Sequence, residues 1–85
     1  MVEQRLAACV QIQGPIRSVY SWDGNLCSES EHRLTIKTNA ERLSRLTSWL
    51  IENHPYDEPQ WVVVDVHAST EGYARWVHES LKEND

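Results

Sequence analysis

Alternation of apolar and polar residues predicts a long β-hairpin in the first half of the chain. Over residues 9–22 the alternation runs in two blocks, which a Gly-Pro pair separates. This pattern is typical of one long strand with a bend or bulge inside it. An Asp-Gly pair follows and predicts a two-residue turn, because both positions tolerate positive φ. We expect the returning strand over residues 25–38, with apolar and charged side chains on opposite faces.

The second half predicts two helices with one more strand between them. Residues 38–41, Thr-Asn-Ala-Glu, have the spacing of a capping box. The helix that follows should end near Asn53, because a His-Pro pair cannot continue it. Residues 61–66, Trp-Val-Val-Val-Asp-Val, are apolar on both faces and predict a strand that is buried on both faces. Ser69 or Thr70 can cap a final helix with one apolar stripe.

The predicted order of elements is helix tail, strand, strand, helix, strand, helix. Residues 1–8 are too short to nucleate a helix alone, so we interpret them as the last turns of a longer one. With one strand and most of a helix added in front, the order becomes β-α-β-β-α-β, the ferredoxin-like arrangement, plus a C-terminal helix. We therefore predict one α+β domain over residues 1–85, ferredoxin-like, with the first strand and most of the first helix absent.

Composition excludes several classes of function. The 85 residues carry a net charge of −5 with only 8 Lys and Arg, which argues against binding to nucleic acid or to anionic membranes. No apolar run is long enough to cross a bilayer, and the first residues do not have the pattern of a signal peptide. Cys9 and Cys27 form no CxxC pair, and two unpaired thiols fit a reducing cytoplasm. We therefore expect a cytoplasmic protein.

Several short motifs occur in order along nearly the whole chain. They are Leu-Ala-Ala-Cys at 6–9, Ser-Val-Tyr at 18–20, Trp-Asp-Gly at 22–24, Glu31, Ile-Lys-Thr at 36–38, His-Pro-Tyr at 54–56, Tyr73 and Trp76. In combination they resemble the CutA family of divalent-cation tolerance proteins. The resemblance implies a ferredoxin-like subunit and a tight homotrimer in which sheets pair across subunits. It also implies a role in tolerance of divalent metals, with copper the ion usually named. The alternative is a trimeric signalling or small-molecule-sensing module like the PII regulators, which share this architecture.

The chain departs from the family pattern in four respects. Residues 57–60 are Asp-Glu-Pro-Gln, Asp65 replaces a proline, Ser69 replaces a glycine, and the first strand is missing. In this topology the first strand is central, so its absence leaves residues 61–66 without a neighbour. Three explanations are open: a true start upstream, a strand supplied by another chain, or a different packing of this chain; we favour the first. A well-packed lone subunit with residues 61–66 helical or facing water would overturn the assignment.

Metal binding has two candidate ligands, His54 and Cys9. No HxxxH, CxxC or EF-hand spacing accompanies them. His54 precedes a proline, so we first expect it to orient the turn through a hydrogen bond. Cys9 lies in an apolar stretch and is first interpreted as a small buried side chain. In the family, a proposed metal site draws on a first-strand cysteine, which this chain lacks.

Aromatic and charged side chains define the predicted interface. We assign to a subunit interface or pocket Tyr20, Trp22, Glu31, Lys37, Tyr56, Trp61 and Trp76. Glu31 and Lys37 share one strand face and predict a cross-strand or cross-subunit ion pair, or a site for a small anion or a metal ion between subunits. Asp65 and His67 could transfer protons, but no nucleophile or phosphate loop accompanies them. We therefore expect no catalytic residues and no enzyme.

Overall fold

A long β-hairpin and two helices make up the regular structure. The computed structural model describes residues 1–83. Strand β1 spans Cys9–Trp22, β2 spans Asn25–Lys37, helix α1 spans Ala40–Asn53 and α2 spans Glu71–Ser80. The principal dimensions are 50 × 28 × 20 Å, and a strand of 14 residues is expected to extend for about 46 Å. The longest dimension of the folded chain is therefore close to the length of its hairpin.

The hairpin has the turn and the bulge that the sequence predicts. Asp23 and Gly24 both adopt positive φ, 51° and 77°, which suits the right-handed twist of the strands. The strands pair antiparallel from the turn to the base of the hairpin, with a register shift between Gln13 and Ile16. The shift lies at the Gly-Pro pair, so the prediction of one bent strand is confirmed.

Helix α1 begins one residue later than the predicted capping box. Asn39 is the N-cap, and its side chain accepts a hydrogen bond of 3.1 Å from the Arg42 N–H. The Thr38 hydroxyl instead donates to the Leu6 carbonyl at 2.8 Å, so it ties the N-terminal segment to the start of the helix. The helix ends at Asn53 as predicted, with His54 as its C-cap.

The N-cap of helix α2 is Thr70, one of the two predicted caps, and its side chain accepts a hydrogen bond from the Tyr73 N–H. The far end of α2 is held by α1. The Arg42 guanidinium donates two hydrogen bonds to the Leu81 carbonyl, at 3.0 and 2.7 Å, and lies 3.4 Å from the Glu83 carboxylate. A cation at this end also offsets the negative end of the helix dipole. Neither helix has the length and hydropathy needed to cross a bilayer, within residues 1–83.

The N-terminal segment has the hydrogen bonds that are typical of the end of a helix, although residues 1–8 contain no helix. The Leu6 N–H donates to the Met1 carbonyl and the Arg5 N–H to the Val2 carbonyl, at 3.1 and 3.0 Å. Arg5 has a φ of 59°. This combination is the Schellman pattern that closes helices. The predicted helix tail is therefore present only as a terminating turn.

The hydrophobic core is small. Within residues 1–83 the buried hydrophobic side chains are Leu6, Ala7, Ala8, Leu46, Leu50 and Leu81. They come from the N-terminal turn, from one face of α1 and from the end of α2. The core therefore lies at the base of the hairpin, where these three parts of the chain meet, and leaves most of the hairpin outside it.

Residues 61–66 form no strand, so this prediction is wrong for the single chain. Val62, Val64 and Val66 are 70%, 79% and 76% exposed, where burial on both faces was expected. The reason is the absence of a neighbour. The sheet within the described residues has two strands, which pair with each other, and a strand needs a partner for its backbone N–H and C=O groups.

Candidate functional site

The two predicted metal ligands lie on different elements. Cys9 is the first residue of β1 and is half-buried, with a free thiol. His54 is the half-buried C-cap of α1. Within residues 1–83 no cluster of three or more His, Cys, Asp or Glu side chains could hold a metal ion. Within residues 1–83, neither Cys9 nor His54 therefore belongs to a set of three side chains that could hold a metal ion.

A hydrogen bond determines what His54 can do. Its Nδ1 atom accepts from the Tyr56 N–H at 3.0 Å, as the sequence predicted for a turn-orienting histidine. An imidazole nitrogen that accepts a hydrogen bond carries no proton, so the neutral ring holds its proton on Nε2. A metal at Nε2 would move that proton to Nδ1, where it would face the Tyr56 N–H. Metal ligation at His54 is therefore coupled to loss of this turn.

The connector after α1 is fixed at a second point by an aromatic side chain. The Trp61 indole N–H donates to the Thr47 hydroxyl at 3.1 Å, and that hydroxyl donates to the Leu43 carbonyl at 2.8 Å. Tyr56 remains 59% exposed, with its ring 5.0 Å from that of His54. Of these two predicted interface residues, Trp61 therefore also anchors the connector within the chain.

The turn end of the hairpin carries Tyr20 and Trp22. Trp22 is 68% exposed and Leu26, on the facing strand, 81% exposed. A hydrogen bond with Glu29, followed by burial and nearby negative charge, raises the pKa of Tyr20 to about 12. The phenol therefore stays neutral up to strongly alkaline pH. Trp22 is therefore open to a partner, whereas Tyr20 is half-buried.

Glu31 and Lys37 do not meet within one chain. Both lie on β2, six residues apart, which places them about 20 Å from each other. Neither takes part in a salt bridge within residues 1–83. An ion pair between them therefore requires two subunits.

Lys37 instead contacts an aromatic residue that the sequence analysis did not place in the site. Its ammonium lies 3.5 Å from the Tyr73 hydroxyl and 5.5 Å from the centre of that ring. Tyr73 in turn stacks on Trp76, with ring centroids 5.7 Å apart and planes at 16°. The spacing of these two aromatics on one helix face is visible in the sequence. Their proximity to Lys37 is not, because it depends on where α2 packs.

The remaining candidate pair shows no catalytic arrangement. Asp65 and His67 are both exposed and lie in the segment without regular structure. No hydrogen bond or salt bridge joins them to another side chain within residues 1–83. Nothing in the described structure orients either group toward a substrate.

Known structures and sequences place this arrangement in a class. The structure matches CutA from Synechococcus elongatus with a TM-score of 0.91 and 42% identity, covering 95% of this chain and 71% of that one. It matches the PII-like protein CutA from Nostoc, in its apo form, with a TM-score of 0.88 and 37% identity, covering 95% and 79%. The fold is therefore the α+β, ferredoxin-like fold of CutA, present in part.

The sequence comparison identifies the family. The model of the CutA1 divalent ion tolerance protein matches residues 1–80. The divalent-cation tolerance protein CutA of Pectobacterium atrosepticum is 37% identical over 82 residues, which cover 96% of this chain and 74% of that protein. The chain belongs to the CutA1 divalent ion tolerance family. It spans only about half the length of its plant relatives, 45% in the case of the chloroplastic CutA protein of Arabidopsis thaliana.

The family match also bears on the condition stated for residues 61–66. These residues face water, but they do so in a chain with a small core and an uncovered hairpin. The lone subunit is therefore not well packed, and the family assignment stands.

Proposed function

We propose that this chain forms a homotrimer that serves tolerance of divalent cations, binds copper weakly, and works in the cytoplasm without catalysing a reaction. Membership of the CutA1 family supports the link to divalent ions. The family is named for tolerance and not for a reaction. The relatives from Arabidopsis thaliana and Oryza sativa are named chloroplastic, so the cytoplasmic location rests on this chain's own thiols and charge.

One observation favours self-association above all. Large hydrophobic side chains are exposed along the hairpin and in the connector, and those more than 60% exposed are Ile12, Val19, Trp22, Leu26, Val62, Val64 and Val66. A chain of this size has little stability in reserve, and burial of such residues contributes about 25 cal/mol per Å² of apolar surface. Association of identical chains would cover these residues without requiring a different partner.

Sedimentation equilibrium of the wild-type chain at micromolar concentration is expected to give about 30 kDa, three times the 9.9 kDa of one chain. Val64→Lys places a charge on the exposed apolar face and should shift the mass toward 9.9 kDa. Gln60→Lys is the matched control, because Gln60 is an exposed polar residue of the same connector, and it should leave the trimer intact. A wild-type mass of one chain, or equal effects of both variants, would contradict the proposal.

Copper binding is expected to depend on Cys9 more than on His54. Thiolates are preferred ligands of Cu(I), whereas the Nδ1 atom of His54 is already engaged by Tyr56. Cys9→Ser should weaken Cu(I) binding about tenfold in competition with a chromogenic chelator. Cys27→Ser is the control, because that thiol is equally free and half-buried. Unchanged affinity of Cys9→Ser would exclude Cys9 as a ligand.

A second candidate function is small-molecule sensing, because a solved relative is called a PII-like protein. The hairpin of this chain ends in a two-residue turn and provides no extended loop for a protein partner. This argues against a function closely similar to that of the PII regulators. Calorimetry with copper salts and with nucleotides on the same preparation separates the two functions. Heat with nucleotides and none with copper would favour the sensor.

A further inference from the structure

Residues 62–80 form a strap that lies outside the core. Every residue from 62 to 76 is exposed, and of the rest only Val77 and Ser80 are half-buried. The strap comprises a stretch without regular structure and helix α2, which contains no buried residue. Apolar burial therefore attaches this part of the chain only weakly to the rest.

Few hydrogen bonds join the strap to the hairpin or to α1. Within residues 1–83, no backbone hydrogen bond and no salt bridge does so. The one side-chain hydrogen bond that does so there links the Lys37 ammonium to the Tyr73 hydroxyl at 3.5 Å, beyond the usual range of about 2.7–3.2 Å. Between its ends, the strap is therefore held by one weak polar contact.

The residues that flank the strap are both anchored to α1. Before it, the Trp61 indole N–H donates to the Thr47 hydroxyl at 3.1 Å. After it, the Arg42 guanidinium donates to the Leu81 carbonyl at 3.0 and 2.7 Å, and the Leu81 side chain is buried. Residues 42 and 47 lie about 7.5 Å apart along the helix axis. The strap is therefore a loop whose ends are held close together on one helix.

The anchor at Leu81 is the stronger of the two. Hydrogen bonds from a charged donor are roughly twice as strong as those between neutral groups, and the Arg42 side chain is only 14% exposed. The Trp61 anchor joins neutral groups by a single bond. Glu83 also pairs with Arg45, but both side chains are more than half exposed, so we expect this pair to contribute little.

Helix α2 depends on these attachments to stay folded. It has 10 residues, and isolated helices shorter than about 12–15 residues are marginal in water. If an anchor is released, α2 should therefore lose its helical hydrogen bonds as well as its position. Opening of the strap then exposes backbone amides to exchange with solvent.

We propose that the strap opens and closes as one local unit while α1 and the hairpin stay folded, and that the Arg42 anchor sets how often it opens. Segments with few buried apolar contacts open at a lower free energy than the core. The strap carries three exposed valines that self-association would cover, Val62, Val64 and Val66. Association of chains should therefore close it. That last step rests on the proposed trimer, whereas opening of the strap in a single chain does not.

Hydrogen–deuterium exchange of the intact chain, followed by mass spectrometry of its peptides, tests the proposal. After correction for intrinsic rates, amides of residues 74–80 in the dilute wild-type chain should exchange about tenfold faster than those of residues 44–53. Arg42→Lys keeps the charge but loses the paired donors. It should speed exchange in residues 74–80 about tenfold and leave residues 44–53 and the hairpin unchanged. Arg45→Lys is the matched control on the same helix and should change exchange less than about twofold.

Thr47→Val tests the other anchor and keeps the experiment decisive if Arg42→Lys fails to fold. Valine keeps the branched shape of threonine but offers no acceptor to the Trp61 indole. Exchange in residues 74–80 should rise about threefold, because the strap loses one neutral hydrogen bond. Ser48→Ala removes an exposed hydroxyl from the same helix and should have no effect.

The outcomes separate the strap from the trimer. Raising the concentration until sedimentation shows association should slow exchange in residues 74–80 more than in residues 44–53. Equal exchange of the two segments in the dilute wild type, or equal acceleration of both by Arg42→Lys, would mean that the strap is part of the core and would overturn the proposal. Association without slower exchange would overturn its link to assembly. A chain that stays single at every concentration would contradict the trimer, and the comparison of the two segments would still decide the strap.

Discussion

Leu46→Ala is expected to lower the free energy of unfolding by about 3 kcal/mol, within the range of about 2–5 kcal/mol for truncating a buried leucine. Leu46 lies in the middle of α1 and is fully buried. The substitution removes apolar contacts and leaves a cavity in a core of very few residues. A domain of this size has roughly 5–15 kcal/mol of stability in total, so the loss is a large share. Urea denaturation followed by circular dichroism measures it.

The control for Leu46 lies on the same helix. Ile51 is 60% exposed, and Ile51→Ala should change the midpoint little, since alanine also has the higher helix propensity. Both variants should be compared at one protein concentration, because association contributes to apparent stability. If Ile51→Ala destabilised the chain as much as Leu46→Ala, the described core would not be the main source of stability in solution.

Gly14→Ala is expected to destabilise the chain by about 2 kcal/mol, because neither the backbone nor the space accepts a side chain. Gly14 has a φ of +156°, which residues with a Cβ rarely adopt. A Cβ there would lie 2.7 Å from the Cδ2 atom of His32 and 3.1 Å from the Glu31 carbonyl oxygen. The bulge would have to open or the strands would have to separate locally. Thermal and urea denaturation measure the change.

Two further variants resolve the causes. Gly72→Ala, in α2, meets open space and is expected to stabilise the chain by up to about 1 kcal/mol through helix propensity. His32→Ala in the Gly14→Ala background removes the side-chain clash but not the clash with the carbonyl, so it should restore only part of the loss. A Gly14→Ala chain as stable as the wild type would mean that the bulge adapts freely.

The local elements were predictable where the determining interactions lie close in sequence. The hairpin follows from alternation and from the Asp-Gly pair, whose positive φ values are a property of the turn itself. The end of α1 follows from the His-Pro pair in the same way. The N-cap is Asn39, one residue after the predicted one, and the Thr38 hydroxyl donates to the Leu6 carbonyl. That partner is distant in sequence and gives no local pattern.

The candidate site was predictable only as a set of residue types. The His54 turn was anticipated from its proline neighbour and is formed within three residues. The contact of Lys37 with Tyr73 joins β2 to α2 and was not anticipated. The alternation correctly placed Glu31 and Lys37 on one face of β2. Residues six positions apart on a strand are nevertheless too distant from each other to form an ion pair.

The sequence by itself determined the family, the hairpin with its bulge and turn, the end of α1 and, to within a residue, the start of α2, because each depends on neighbouring residues or on motifs in order along the chain. Only the tertiary structure decided that residues 61–66 lack a strand, that Arg42 holds the end of α2, and that Lys37 lies over Tyr73. The physical reason is that pairing and packing depend on which parts of the chain are adjacent in space. An apolar segment has the side chains for a strand, but it becomes one only when another strand lies beside it.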